Sequence, residues 1–387
     1  MHEETRLVRA GAAPKVLAKT VGPAIQKGST VLLPNAAALY DDDNFLTYGR
    51  QGLAAQATLA DALATLEGAV GVSLYPSGVA ALTGAMLAVL AAGDEVLVTD
   101  NIYKPTRRFC DTVLKRYGVT TTYFDPRQPA ETLVAGASPA VKLIVMESPG
   151  SLTMEMQDMR AVAEQAARRG ILTLADNTWG AGYLFKPLDQ GVDISVQALT
   201  KYVGGHSDVF MGSAAARDPE MVRRLDEGVL HMGWAVSGED AYQMLRGLRT
   251  LAVRVARQGE SALAVAQALR ERPEVLEVLH PALAESKDHA LWRRDFTGAC
   301  GLFAFVLRPG SRTAVDAFLD GLKLFGLGFS WGGFESLAIL CDPQFSGRKY
   351  LRDYDGPVIR LHIGLENPQD LVADLGQALD IYDRAAG

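Results

Sequence analysis

The chain has 387 residues, 48% hydrophobic and 21% charged, with a formal net charge of −7. That length exceeds one small core and predicts a large α/β domain with a smaller second one, while the acidic excess argues against a nucleic-acid-binding face or an anionic-membrane binder. The three cysteines, Cys110, Cys300 and Cys341, lie far apart in no C-x-x-C spacing, which gives no disulfide framework or zinc site and fits a reducing cytoplasm.

Residues 1–50 read as an irregular, mixed-charge arm without the apolar segment of a signal peptide. Apolar residues then recur at helical spacing from Gly52 to Glu67. The uncharged stretch Gly68 to Gly93 is long enough to cross a bilayer, but Tyr75-Pro76-Ser77-Gly78 cuts it into a strand, "GVSLY", and a helix from about Gly78 to Ala92. The strand "DEVLVTD" leads to a helix from about Pro105 to Tyr117. "TTTYFD" and "KLIVMESP" are strand-like, a helix covers about Met159 to Arg169, and "ILTLADN" and "DISVQAL" follow. Apolar runs of this length separated by helices predict a mostly parallel sheet buried on both faces, the doubly wound α/β class. One long helix is expected over about Gly238 to Arg272. Two β-like runs, "GLFAFVLR" and "VIRLHIGLE", with helices around them, predict a small α+β domain. The expected division is an arm over 1–50, a large domain over 51–245 and a small domain over 246–387.

In such sheets ligands bind beyond the carboxyl ends of the strands. Those positions are Ser77-Gly78, Asn101 to Tyr103, Glu147-Ser148, Asp176-Asn177 and Thr200-Lys201. Lys201 by itself fits either a surface lysine or a reactive amine, and Asp176 with Lys201 fits a plain salt bridge. Ser77-Gly78 opening a helix adds unpaired N–H groups and a dipole suited to a phosphate. A lysine, a carboxylate and a phosphate cradle together match pyridoxal phosphate: the amine bonds the aldehyde, and an Asp keeps the ring nitrogen protonated. Tyr103 can cover the ring, or can be a half-buried packing tyrosine. The histidines show no metal spacing; His206, His231 and His362 read as surface or satisfied core residues, and no metal is expected.

Several blocks carry a resemblance: "YGRQG", "ESPGSLTMEMQDMRAV", "DNTWGAGYLFKPLDQGVDIS", "QALTKYVGGHSD", "RGLRTL", "SWGGFESL" and "IRLHIGLEN". In this order they resemble the Cys/Met-metabolism group of pyridoxal-phosphate enzymes over most of the chain. "SWGGFESL" and "YKPT" look most like its β-eliminating branch. The resemblance implies the aspartate-aminotransferase-like fold (fold type I). It also implies a carbon–sulfur lyase that cleaves L-cystathionine to homocysteine, pyruvate and ammonia in methionine biosynthesis. Lys201 then resembles the Schiff-base lysine and general base, Asp176 the partner of the ring nitrogen, and Tyr103 the stacking and catalytic tyrosine. Gly78, Val79 and Thr200 resemble phosphate contacts. Tyr48 and Arg50 resemble a pair that reaches the phosphate of a neighbouring subunit, which implies a dimer at least and a homotetramer by family habit. Arg360 resembles the arginine for the substrate α-carboxylate, whose planar fork suits that group, with Ser330 and Trp331 in the same pocket.

One position departs from the pattern. Many relatives carry a phosphate-binding serine three residues before the lysine, where this chain has Ala198. The methionine γ-lyases also carry a cysteine shortly after the stacking tyrosine, absent from Tyr103-Lys104-Pro105-Thr106. Both differences weigh against the γ-lyase branch. The competing expectations are a γ-eliminating, γ-replacing or broad C–S lyase of the same family, and a regulatory protein on the same fold. The stretch from Gly204 to Asp208 receives no role from the sequence.

Overall fold

The computed structural model describes residues 1–2, 5–6, 18–41 and 46–386, so part of the expected arm lies outside the described residues. Within the arm, Thr30 and Tyr48 form an isolated antiparallel bridge, and short 3-10 turns cover Ala37–Tyr40 and Gly49–Gln51. Helix α1 follows at Ala54–Glu67.

Seven strands make the larger sheet: β1 (Gly71–Tyr75), β2 (Glu95–Thr99), β3 (Thr120–Phe124), β4 (Val141–Glu147), β5 (Leu172–Asp176), β6 (Ile194–Gln197) and β7 (Gly212–Ala216). Their order is β1-β7-β6-β5-β4-β2-β3. The pairs from β6 through β5, β4 and β2 to β3 are parallel, and β7 runs antiparallel to both its neighbours. Alternation along β4 shows why its run is uninterrupted. Leu143 and Val145 pack on one face with Leu82, Ala85 and Met86 of helix α2 (Gly78–Val89), while Ile144 and Met146 pack on the other. Both faces are covered, so both side-chain sets are apolar. The uncharged stretch is thus β1 and α2, cut at Pro76–Ser77, and among the described residues no helix is long and apolar enough to cross a membrane.

Sequence patterning missed β7. Its residues, Gly-Ser-Ala-Ala-Ala, are all buried, yet none is β-branched or large. The reason is close packing: a Cβ on Gly212 would stand 2.4 Å from the Ser77 carbonyl oxygen and 2.8 Å from Ala81 Cβ. The small strand lets α2 lie close on the sheet, which sets the position of that helix's N-terminus.

The expected helix over 105–117 is a short α3 (Lys104–Phe109) continued by a π-type turn at Cys110–Leu114. The expected single helix over 238–272 is two, Gly238–Arg249 and Leu251–Arg270. Thr250 breaks it, its N–H and hydroxyl both folding back onto the Gly247 carbonyl at 3.1 Å.

The smaller sheet holds β8 (Val275–Leu279), β9 (Leu302–Leu307), β10 (Gly326–Leu327), β11 (Leu337–Leu340) and β12 (Val358–His362), in the order β10-β11-β12-β9-β8. Leu302, Ala304 and Val306 of β9 join the cluster containing Ile144 and Met146, whereas Phe303, Phe305 and Leu307 face Phe318, Leu375 and Leu379 of the last helices. One apolar layer therefore fastens the two sheets together. A buried ionic knot adds to it. Asp100, at the end of β2, accepts from Arg107 (2.7 Å), from Arg348 (3.3 Å) and from the N–H groups of Lys349 and Tyr350, while Arg348 also bonds Thr153 and Glu155. Burial pushes the Asp100 carboxyl up, but these donors outweigh it and hold it below the ordinary range.

Candidate active site

The carboxyl ends of β2, β4, β5 and β6 open on a cavity of about 310 Å³ whose walls include Tyr103, Glu147, Asp176 and Lys201. Gly78, Val79, Thr200, Ser330 and Trp331 line it too. Arg360 stands in an adjoining cavity of about 210 Å³ that shares Tyr103, Ser151 and Phe329. Of the expected site residues, Tyr48 and Arg50 alone are absent from both cavities. Tyr48 is 49% exposed, and Arg50 donates to the Leu230 carbonyl at 2.8 Å.

At one end of the larger cavity, helix α2 begins. Ser77 caps it by accepting from Ala80 N–H, which leaves the N–H groups of Gly78 and Val79 without an acceptor among the described residues. Ala198 sits beneath: a Cβ on Gly78 would lie 2.4 Å from the Ala198 Cβ. The Thr200 hydroxyl accepts from Met211 N–H at 3.0 Å and faces the same space. This is an N–H-rich end suited to an anion.

Asp176 closes β5. Its Oδ1 accepts from both the hydroxyl (2.6 Å) and the N–H (3.1 Å) of Thr178. Burial raises its pKa, opposed by Thr178 and by the Lys201 charge. Asp176 and Lys201 form no ion pair; the lysine Nζ instead donates to Ser330 Oγ at 2.8 Å and lies 5.4 Å from the Trp331 ring centre. Burial, reinforced by the Arg360 charge and opposed by Asp176, lowers the Lys201 pKa to about 8. An amine at that value is partly neutral near physiological pH and is a usable nucleophile and base.

Gly332 permits the approach of the small domain to this lysine. It has φ +85°, and a Cβ there would come within 2.8 Å of the Lys201 backbone. The glycines after Lys201 serve a similar purpose. Gly205 has φ +69°, and a Cβ on it would collide with Arg254, whose guanidinium donates to the carbonyls of Tyr202 (2.8 Å), Val203 (3.3 Å) and Gly247 (2.7 Å). The lysine turn is thereby held from behind by a buried arginine.

Tyr103 is 39% exposed, its pKa raised by burial and by the charges of Asp176 and Glu147. Arg360, on β12, is buried and donates to the carbonyls of Phe329 (2.8 Å) and Ser151 (3.3 Å).

Glu147, Ser151, Thr178, Trp179, Phe210 and Phe329 line the larger cavity without having been singled out as site residues from the sequence. Glu147 matters most: its two carboxyl oxygens accept the N–H groups of Tyr103 (2.6 Å) and Ser151 (3.0 Å). Its position at the end of β4 was a visible signal, though nothing there distinguished it from a capping acid.

The set fits pyridoxal phosphate on its own chemistry. It offers free N–H groups for a phosphate, a buried carboxylate for a ring nitrogen, a low-pKa amine for an aldehyde and an open aromatic ring for a π-face. The comparisons agree. The family model described as "Cys/Met metabolism PLP-dependent enzyme" matches residues 4–380. A "Putative cystathionine beta-lyase" of Rhizobium johnstonii is 46% identical over 96% of this chain and 94% of its own. "Cystathionine beta-lyase MetC" of Escherichia coli is 41% identical over 96% of each chain. A solved structure described as "metB from Corynebacterium glutamicum" superposes with a TM-score of 0.88 at 31% identity, covering 97% of each chain.

Proposed function

The chain belongs to the Cys/Met-metabolism pyridoxal-phosphate-dependent enzymes, and within that family we propose that it is a cystathionine β-lyase. The observation that carries the reading is the meeting of Lys201, Asp176, Tyr103 and the free amides of Gly78 and Val79 in one cavity. The reaction consumes L-cystathionine and water and yields homocysteine, pyruvate and ammonia. Identifying the keto acid released from L-cystathionine tests it.

Pyridoxal phosphate, when bound, supplies an aldehyde for imine linkage to amines and a ring that accepts an electron pair. Gly78, Val79 and Thr200 would hold its phosphate. Asp176 would present negative charge to the ring nitrogen and favour its protonated form. The Lys201 amine would bond the aldehyde of the resting group, and as a free amine its Nζ is the base for the substrate Cα proton. Its lowered pKa suits both tasks. Arg360 receives the α-carboxylate through N–H groups beyond those spent on Phe329 and Ser151. The Cβ–S bond then breaks. Tyr103, kept protonated by its raised pKa, and Lys201, carrying the proton it removed, are the two donors placed to protonate the leaving sulfur. Ser330 holds the Lys201 amine, and Trp331 walls the pocket beside it.

The reading extends to a cytoplasmic homo-oligomer, a dimer at least and in full a tetramer built of two such dimers. Tyr48 and Arg50 are exposed and outside their own chain's cavity, which supports their reaching the phosphate of a second copy. Three buried free cysteines suit a reducing compartment.

A further inference from the structure

The smaller cavity next to the lysine pocket has a one-sided charge. Arg108, Lys104 and Arg360 line it, and among the described residues no carboxylate does. Arg107 and Arg108 are neighbours on α3 with opposite fates. Arg107 is buried and spent on the Asp100 knot. Arg108 is exposed, and its guanidinium makes no hydrogen bond or ion pair among the described residues. Gln344 lines the same cavity, and its buried Nε2 also lacks a partner among the described residues.

This wall is built and held in place. Lys104 Nζ donates to the Pro343 carbonyl and the Ser346 hydroxyl, each at 3.1 Å. Arg107 donates to the Gly347 carbonyl at 3.0 Å, and Asp100 takes the N–H groups of Lys349 and Tyr350. The segment carrying Gln344 is thus fastened on both sides to the helix carrying Arg108. A free guanidinium and an unspent amide N–H on the lining of one cavity suit an anion, and their preferred guest is a planar carboxylate. The cavity adjoins the lysine pocket and shares Tyr103, Ser151 and Phe329 with it, so its guest can be the far end of a molecule whose near end lies at Lys201.

We propose that Arg108 and Gln344 form a distal carboxylate subsite, which selects thioether amino acids bearing a second carboxylate beyond the sulfur. The proposal rests on the β-lyase reading and names what that site prefers. Arg360 remains with the α-carboxylate; Arg108 and Gln344 take the other end, and the positive wall offers no partner for the distal ammonium.

The test uses the cofactor-loaded enzyme and three substrates that all yield pyruvate: L-cystathionine, S-(3-carboxypropyl)-L-cysteine, which lacks the distal amine, and S-(3-aminopropyl)-L-cysteine, which lacks the distal carboxylate. The expected wild-type order of kcat/KM places both carboxylate-bearing substrates above the aminopropyl compound. Arg108→Ala should reduce that preference at least about tenfold, as expected for loss of a charge-assisted hydrogen bond. Gln344→Met should reduce it less, and Arg108→Lys should restore part of it. Pyruvate from all three with the same preference in wild type and Arg108→Ala overturns the subsite alone. Pyruvate from none of them in the wild type overturns the β-lyase reading and the subsite with it.

Discussion

Glu147 and Asp176 stand side by side, in register at the ends of the parallel strands β4 and β5, and both face the cavity that holds Lys201. Two carboxyl groups buried at such close quarters resist simultaneous ionisation, and each is pushed above its ordinary range, first by burial. Their hydrogen bonds separate their tasks. Asp176 is oriented by Thr178 alone, with charge to offer a ligand, whereas Glu147 is occupied by the amides of Tyr103 and Ser151. Glu147→Gln keeps one acceptor and sets an amide N–H against the other backbone N–H. The expected result is a shifted Tyr103 and a roughly 10- to 100-fold fall in kcat/KM, the cost of a buried unsatisfied donor. Steady-state kinetics with the absorbance spectrum of the bound cofactor checks this.

Lys201→Ala should abolish turnover and the visible absorbance of lysine-linked pyridoxal. Thermal melting should show that the variant still folds, since Lys201 contributes one side-chain bond, to Ser330.

The pH dependence of cofactor capture follows from the lysine's surroundings. Only neutral amine adds to an aldehyde. With the Lys201 pKa lowered to about 8, reconstitution of apoenzyme should speed up as pH rises and level off above about 8. Arg360 contributes to that lowering, so Arg360→Gln should move the midpoint upward, toward the ordinary lysine range. Stopped-flow absorbance over a pH series measures both.

Gly78→Ala places a methyl 2.4 Å from the Ala198 Cβ and 2.9 Å from its Cα. The start of α2 must move, at a cost of about 1–3 kcal/mol for overpacking. Weaker cofactor retention is expected, measured by dialysis against cofactor-free buffer.

Asp100→Ala strips Arg107 of its buried counter-charge and leaves Arg348 with Glu155 alone. Breaking such a pair costs about 3–5 kcal/mol, and a lower urea midpoint for the variant is the expected result.

Much of this arrangement was legible in the sequence because its signals are local. Apolar runs ending in Asp176 and just before Lys201 marked strand ends, and Ser77-Gly78 marked a helix start. What was hidden depends on distant neighbours. β7 carries small residues because α2 lies against it, which no propensity records. Glu147 gains importance through the amide of Tyr103, 44 positions away. Gly205 had no readable purpose until Arg254 appeared behind it.

The most direct test of the central claim is the product analysis of L-cystathionine turned over by the purified, cofactor-loaded enzyme. Pyruvate, ammonia and homocysteine in equal amounts are the predicted result. Release of 2-oxobutyrate and cysteine, or no cleavage at all, would contradict it.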